Sequence, residues 1–162
     1  KLEVIMFKID DYIIYKGDVS KVSGIKEIRG NKYYMIDLIN DSSLKINLPA
    51  DSKFIRPVIK CEDALKLIDE IPNMEVVQAT NDKALEQTYK KLLSSDSVSD
   101  LLVILKTTYL RDKKRSDNGK KCGSIDTYYY DETVKKLFLE LSISLKLDMN
   151  TIENILIEQI NK

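Results

Sequence analysis

The chain has 162 residues, 43% of them hydrophobic and 32% charged, a balance that suits one domain or two small ones and excludes full disorder. Its 26 Lys and Arg cancel its 26 Asp and Glu, which excludes a polybasic nucleic-acid coat. The absence of His excludes Ser-His-Asp and Cys-His catalysis and every mixed Cys/His zinc site, and the two cysteines, Cys61 and Cys122, are too few for an all-cysteine one.

Lys1 to Ile5 stand ahead of the first Met, Met6, and are kept out of the fold reading. From Phe7 to Val58 the apolar runs are short and broken by turn residues. Tyr12 to Tyr15 is bounded by Asp10-Asp11 and Lys16-Gly17-Asp18, and Val22 to Ile28 ends at the hairpin-type turn Arg29-Gly30-Asn31-Lys32. Tyr33 to Ile39 is rich in strand formers. Leu44 to Leu48 alternates apolar and polar, which presents Lys45 and Asn47 outward, and Pro49 stops it. Lys53 to Pro57 adds a last short strand. Strands this short and this close predict a small antiparallel β-barrel filled by its own side chains.

After Pro57 the period becomes helical. Ala64, Leu65, Ile68 and Ile71 mark one helix, ended by Pro72, and Leu85, Tyr89, Leu92 and Leu93 mark a second. Asp96 or Ser97 caps a third, with the stripe Val98, Leu101, Leu102, Leu105 and Tyr109. A fourth follows Ser124, read as its N-cap, and carries Val134, Leu137, Phe138, Leu141 and Leu145. Asn150 or Thr151, with Asp148 as the alternative, opens a fifth with Ile152, Ile155, Leu156 and Ile160. Helices joined by short loops bury such stripes as a bundle. The expected class is therefore α+β, a barrel over 6–58 and an all-α bundle over 59–162.

No apolar run approaches the roughly 18 residues of a transmembrane helix, and the N-terminus has no signal-peptide layout. Without a disulfide framework, a reducing cytoplasm is the expected compartment. The neutral total hides an uneven distribution. Tyr89 to Lys121 holds nine basic and four acidic residues, whereas Cys122 onward holds four basic and seven acidic. Arg111 to Arg115 with Lys120-Lys121 is a candidate phosphate contact, set against a solvated helix C-terminus where cations are favoured anyway.

Other constellations read as structural. Tyr128-Tyr129-Tyr130 could stack on bases, but consecutive helical residues diverge, which predicts one or two in the core and one exposed. Asp10-Asp11 opens a strand, and Glu62-Asp63 suits the first turn of a helix. Asn118-Gly119-Lys120 is no P-loop, because Lys114 occupies the position of the required first Gly. Cys61 and Cys122 lie near helix starts with no neighbouring base and read as buried or inert thiols. With no metal-ligand cluster and no acid–base constellation, no enzyme, no metal and no cofactor are expected.

The order of parts resembles a known family. Met6-Phe-Lys-Ile-Asp-Asp-Tyr-Ile-Ile-Tyr15 is similar to the opening of the bacterial CarD/CdnL transcription regulators, and Gly24-Ile25, Lys32-Tyr33-Tyr34, Leu44 to Pro49 and Ile55-Arg-Pro57 follow the same N-terminal pattern. Leu92 to Asp96, Val98 to Arg111 and Leu139-Glu-Leu141 stand where that family has its helical domain, so the resemblance spans Met6 to about Leu147. It implies a Tudor-like barrel that pairs strand-to-strand with the β subunit of RNA polymerase. It also implies a helical domain that touches promoter DNA at the upstream edge of the melted region, where the family wedges a Trp into the minor groove. This chain departs from the pattern at several points. The Trp position falls near Asn81 and the chain has no Trp. A polymerase-facing Arg falls at Asn47, and the basic residues after the Trp are thinned to Lys83.

The expectation is a cytoplasmic, monomeric regulator that binds the polymerase β subunit and, weakly and with polymerase assistance, promoter DNA. The expected polymerase-binding residues are Lys26, Ile28, Arg29, Leu44, Lys45 and Asn47. The expected DNA-proximal residues are Asn81, Lys83, Lys90, Arg111, Lys113, Lys114, Arg115, Lys120 and Lys121. The alternative is an adaptor that docks on polymerase without direct DNA contact.

Overall fold

The computed structural model describes residues 6–162, so the reading of Lys1 to Ile5 lies outside the described residues. The chain forms two compact units, the first ending at Val58 and the second spanning Ile59–Lys162. The first is all strand and the second all helix, which makes the protein α+β.

The first unit holds β1 (Tyr12–Tyr15), β2 (Asp18–Ile28), β3 (Asn31–Leu38), β4 (Lys45–Pro49) and β5 (Ile55–Pro57). They form one antiparallel sheet in the order β4-β3-β2-β1-β5, and no ladder joins β4 to β5 among the described residues. Two tight turns fix the register. Lys16 and Gly17 (φ 48° and 84°) join β1 to β2, and Arg29 and Gly30 (φ 52° and 79°) join β2 to β3. Two successive residues with positive φ make the turn whose twist matches antiparallel strands, and glycine takes the second place at no steric cost. Ile13, Val22, Tyr34, Ile36 and Leu48 make the core. The Tyr34 ring is fully buried, meets Phe7 edge-on at 5.8 Å and accepts the Phe7 N–H at its hydroxyl (3.1 Å).

The second unit holds α1 (Cys61–Glu70), a 3₁₀ turn at Ile71–Asn73, α2 (Asp82–Ser94), α3 (Val98–Asp117), α4 (Ser124–Leu145) and α5 (Met149–Ile160). Its core joins Ala64, Ile68, Leu85, Tyr89, Leu102, Leu105, Leu137, Leu141, Ile152 and Leu156. Leu65 departs from its expected stripe. It is 50% exposed, and Leu67 packs on the core from the other side of α1.

Two of the expected caps form. The Ser97 hydroxyl accepts the Asp100 N–H and the Asp148 carboxylate accepts the Thr151 N–H at 2.7 Å, which puts Asn150 and Thr151 inside α5. That backbone donor holds the Asp148 carboxyl below the usual carboxylate range. Ser124 is not a cap. Gly123 occupies the cap position and Ser124 is the first helical residue, so no side chain caps α4.

Lys106, counted in the basic stretch by sequence, is a core residue with 7% exposure. Its ammonium donates to the carbonyls of Ile71 (2.8 Å), Pro72 (3.1 Å) and Met74 (2.6 Å). The Ile71 carbonyl also accepts the Met74 N–H that closes the 3₁₀ turn, and the ammonium adds partners for the carbonyls of Pro72 and Met74 at its end. Next to it, Thr107 Oγ1 accepts the Val77 N–H at 3.0 Å. Together they pin the irregular connector from the 3₁₀ turn toward α2 onto α3.

Candidate functional site

Two surfaces carry the residues singled out by sequence. The first is the outer edge of β4. Leu38 N–H donates to the Leu44 carbonyl and Ala50 N–H to the Lys32 carbonyl, which fixes the phase of the β3–β4 ladder. Antiparallel residues alternate between bonding inward and outward, so Ile46 and Leu48 bond to β3 while the backbone groups of Lys45 and Asn47 face away from it. The side chains of Lys45 and Asn47 are exposed and Leu48 is buried, as the alternation predicts. Leu44 breaks that alternation. It precedes the strand and is 44% exposed, because its N–H is held by the Asp41 carbonyl in the turn.

The other polymerase-face candidates lie elsewhere. Lys26 and Ile28 sit on the exposed far end of β2, paired with Tyr33 and Asn31, and Arg29 is in the hairpin turn. β3 separates them from β4, so they do not join Lys45 and Asn47 on one edge.

The second surface is one face of α3. Arg111, Lys114, Arg115 and Asn118 recur at the spacing of a single helical stripe and, with Lys120 from the following loop, line an open cavity of about 260 Å³. Asn118 is the member that sequence reasoning missed, although its distance of seven from Arg111 carried the signal. Lys120 is brought back by the helix end, where its N–H donates to the Arg115 carbonyl at 2.8 Å and Gly119 takes φ 68°.

Arg111 is not free. Its Nε donates to both carboxylate oxygens of Asp126 (3.2 and 3.0 Å), and the buried Tyr89 hydroxyl donates to Asp126 Oδ1 at 2.7 Å. Asp126 is 2% exposed, so this cation neutralises a buried charge and anchors α4 to α3 and α2. Burial first, then the bond to Asp126 and its charge, push the Tyr89 phenol far above the ordinary range, and Arg111 opposes this.

The remaining candidates scatter. Lys113 points off the stripe and donates to Asn161 Oδ1 at 3.0 Å. Lys121 is exposed in the loop, and Lys83 and Lys90 are exposed on α2. Asn81 serves as the α2 N-cap, its side chain accepting the Ala84 N–H at 2.8 Å. Tyr128 is 57% exposed, Tyr129 is buried and Tyr130 lies between, as three diverging helical side chains must.

Of the two readings of the thiols, buried or inert, burial is corrected, since Cys61 and Cys122 are both exposed. They occupy helix-start positions, where the chain is still on the surface. The carboxylate pairs hold structural posts. Asp11 accepts the Lys8 N–H in the turn before β1, and Glu62 and Asp63 sit in the first turn of α1. Among the described residues, no group of three His, Cys, Asp or Glu is placed to hold a metal ion, and no helix is long and apolar enough to cross a membrane. No protein-family model matches the chain, and comparison with curated proteins finds no match.

Proposed function

We propose that this protein is a cytoplasmic, non-enzymatic transcription regulator that docks on the β subunit of RNA polymerase through the free edge of β4. In this reading the sheet of the first unit curls as a Tudor-like barrel, and its second unit carries cations to promoter DNA. The observation that carries the reading is the edge itself. Lys45 and Asn47 turn backbone groups outward from a short exposed strand, and such a row is completed by a strand from another chain. The resemblance of residues 6–57 to the CarD/CdnL pattern supplies the partner. Phosphate contact falls to Lys114, Arg115 and Lys120 around the α3 cavity.

The adaptor reading, docking without DNA contact, is favoured by one observation. Arg111 is bound to Asp126, Asn81 caps α2 and Lys113 donates to Asn161, so three residues of the expected DNA side are occupied structurally.

The test is co-purification of the full chain with the β-subunit lobe of a bacterial polymerase, with and without Asn47→Pro. Proline removes an outward-facing N–H and leaves the β3 ladder intact, so the variant stays folded and loses the lobe. Equal retention of both proteins refutes edge pairing. A promoter footprint extended by the wild type on polymerase then separates the DNA-contacting regulator from the adaptor, which leaves it unchanged.

A further inference from the structure

We infer that the helical unit holds a second, separate site, a pocket for a small organic cation between α3, α4 and α5. This does not depend on the polymerase reading. The cavity measures about 380 Å³, within the range of small-ligand pockets. Each helix contributes at helical spacing. Tyr109 and Asp112 come from α3, Asp126 and Tyr130 from α4, and Glu153 from α5. Two tyrosines and three acidic residues line the space, and no Lys or Arg does.

Arg111 neutralises Asp126, which leaves Asp112 and Glu153 as the charge of the pocket, and Lys113, the other chain neighbour of Asp112, donates to Asn161 Oδ1. Asp112 and Glu153 make no ion pair among the described residues. The field is felt inside. After burial itself, Glu153 and Asp131 and then Tyr109 and Asp112 push the Tyr130 phenol upward.

The arrangement also selects the kind of cation. No three ligating groups converge closely enough for a metal ion among the described residues, so the carboxylates are spread over the walls. A spread of charge with aromatic surface between fits ammonium groups carried on an alkyl body. The carboxylates take the N–H donors, and the rings take the alkylammonium face by cation–π attraction.

The structure supplies its own reporter. Cys122 lines the cavity and is exposed, while Cys61 is exposed on α1 and lines no part of it. The experiment uses the full chain and follows the reaction of both thiols with a small disulfide reagent, adding spermidine, putrescine or the neutral isostere 1,4-butanediol at millimolar concentration. The expected result is that an amine slows Cys122 and not Cys61, and that the diol slows neither. In the double variant Asp112→Asn/Glu153→Gln, folded by circular dichroism, the amine concentration needed rises about tenfold or more. Protection of Cys122 by neither amine, equal protection of both thiols, or undiminished protection in the double variant overturns the site.

Discussion

Tyr89, Asp126 and Arg111 show how much one buried carboxylate can organise. Asp126 is nearly inaccessible, and the two groups that donate to it come from α2 and α3. Tyr89→Phe removes the phenol donor and leaves Asp126 Oδ1 underbonded, which is expected to cost about 2 kcal/mol at neutral pH. The pH dependence has a definite sign. The native phenol holds its proton far above the ordinary value, so the unfolded chain is the one that ionises first, above about pH 10. The stabilisation is complete below that pH and is lost as pH rises beyond it, by up to about 1.4 kcal/mol per pH unit for this group. The Phe variant lacks this titration, so its stability deficit narrows on the alkaline side, where Tyr129 and Tyr130, also raised, keep a residual slope. Urea midpoints from neutral to alkaline pH measure this, and two parallel curves would contradict it. Lys106 plays a comparable role with the charges reversed, one buried ammonium satisfying three carbonyls.

At the scale of elements, chain punctuation follows local chemistry. Asn81, Ser97 and Asp148 each accept a backbone N–H from the first turn of the helix they precede. Asn81 is the position where the resemblance places a DNA wedge, and capping gives it a different weight. Asn81→Ala is expected to destabilise the protein by about 1 kcal/mol, whereas Asn81→Asp keeps the cap and the stability. Thermal melts of the two variants decide the matter; equal losses would show that the side chain acts otherwise. The helix stripes and the two tight turns were legible because each is set within a few residues. Leu65 and Leu44 were misassigned because periodicity counts apolar residues without knowing which face meets a neighbour. Leu67 won the core side of α1, and the Asp41 turn held Leu44 outside the strand.

For the whole molecule, the sequence-neutral charge leaves a local cation face on α3 of limited strength. Lys114, Arg115 and Lys120 are what the cavity offers once Arg111 is committed to Asp126. Each phosphate contact on duplex DNA adds about 0.9 to the salt slope, so binding through this face gives log K against log salt a slope of about −3. Under the proposed function, free promoter DNA is expected to bind weakly at physiological salt, with tethering to polymerase supplying the effective concentration. The double change Lys114→Gln/Arg115→Gln is expected to flatten the slope by about two units. A wild-type slope near zero, or one indifferent to the double change, would remove DNA contact from this face. The candidate site was legible as a list of cations and not as a surface. Asn81, Arg111 and Lys113 left it for structural partners, and Asn118 joined it.

The sequence by itself determined the α+β class, the change from strand to helix period after Pro57, the turns at Gly17 and Gly30 and the five helices. These depend on interactions between residues a few positions apart, which composition and spacing record. Only the tertiary structure decided that β4 is an edge strand with the backbone groups of Asn47 turned away from β3 and that Lys106 is a core residue. It alone decided that Arg111 belongs to Asp126 and that three helices enclose an acidic, tyrosine-walled cavity. The reason is that ladder order and the pairing of buried charges join residues far apart in the chain. Packing selects those partners, and no local pattern names them.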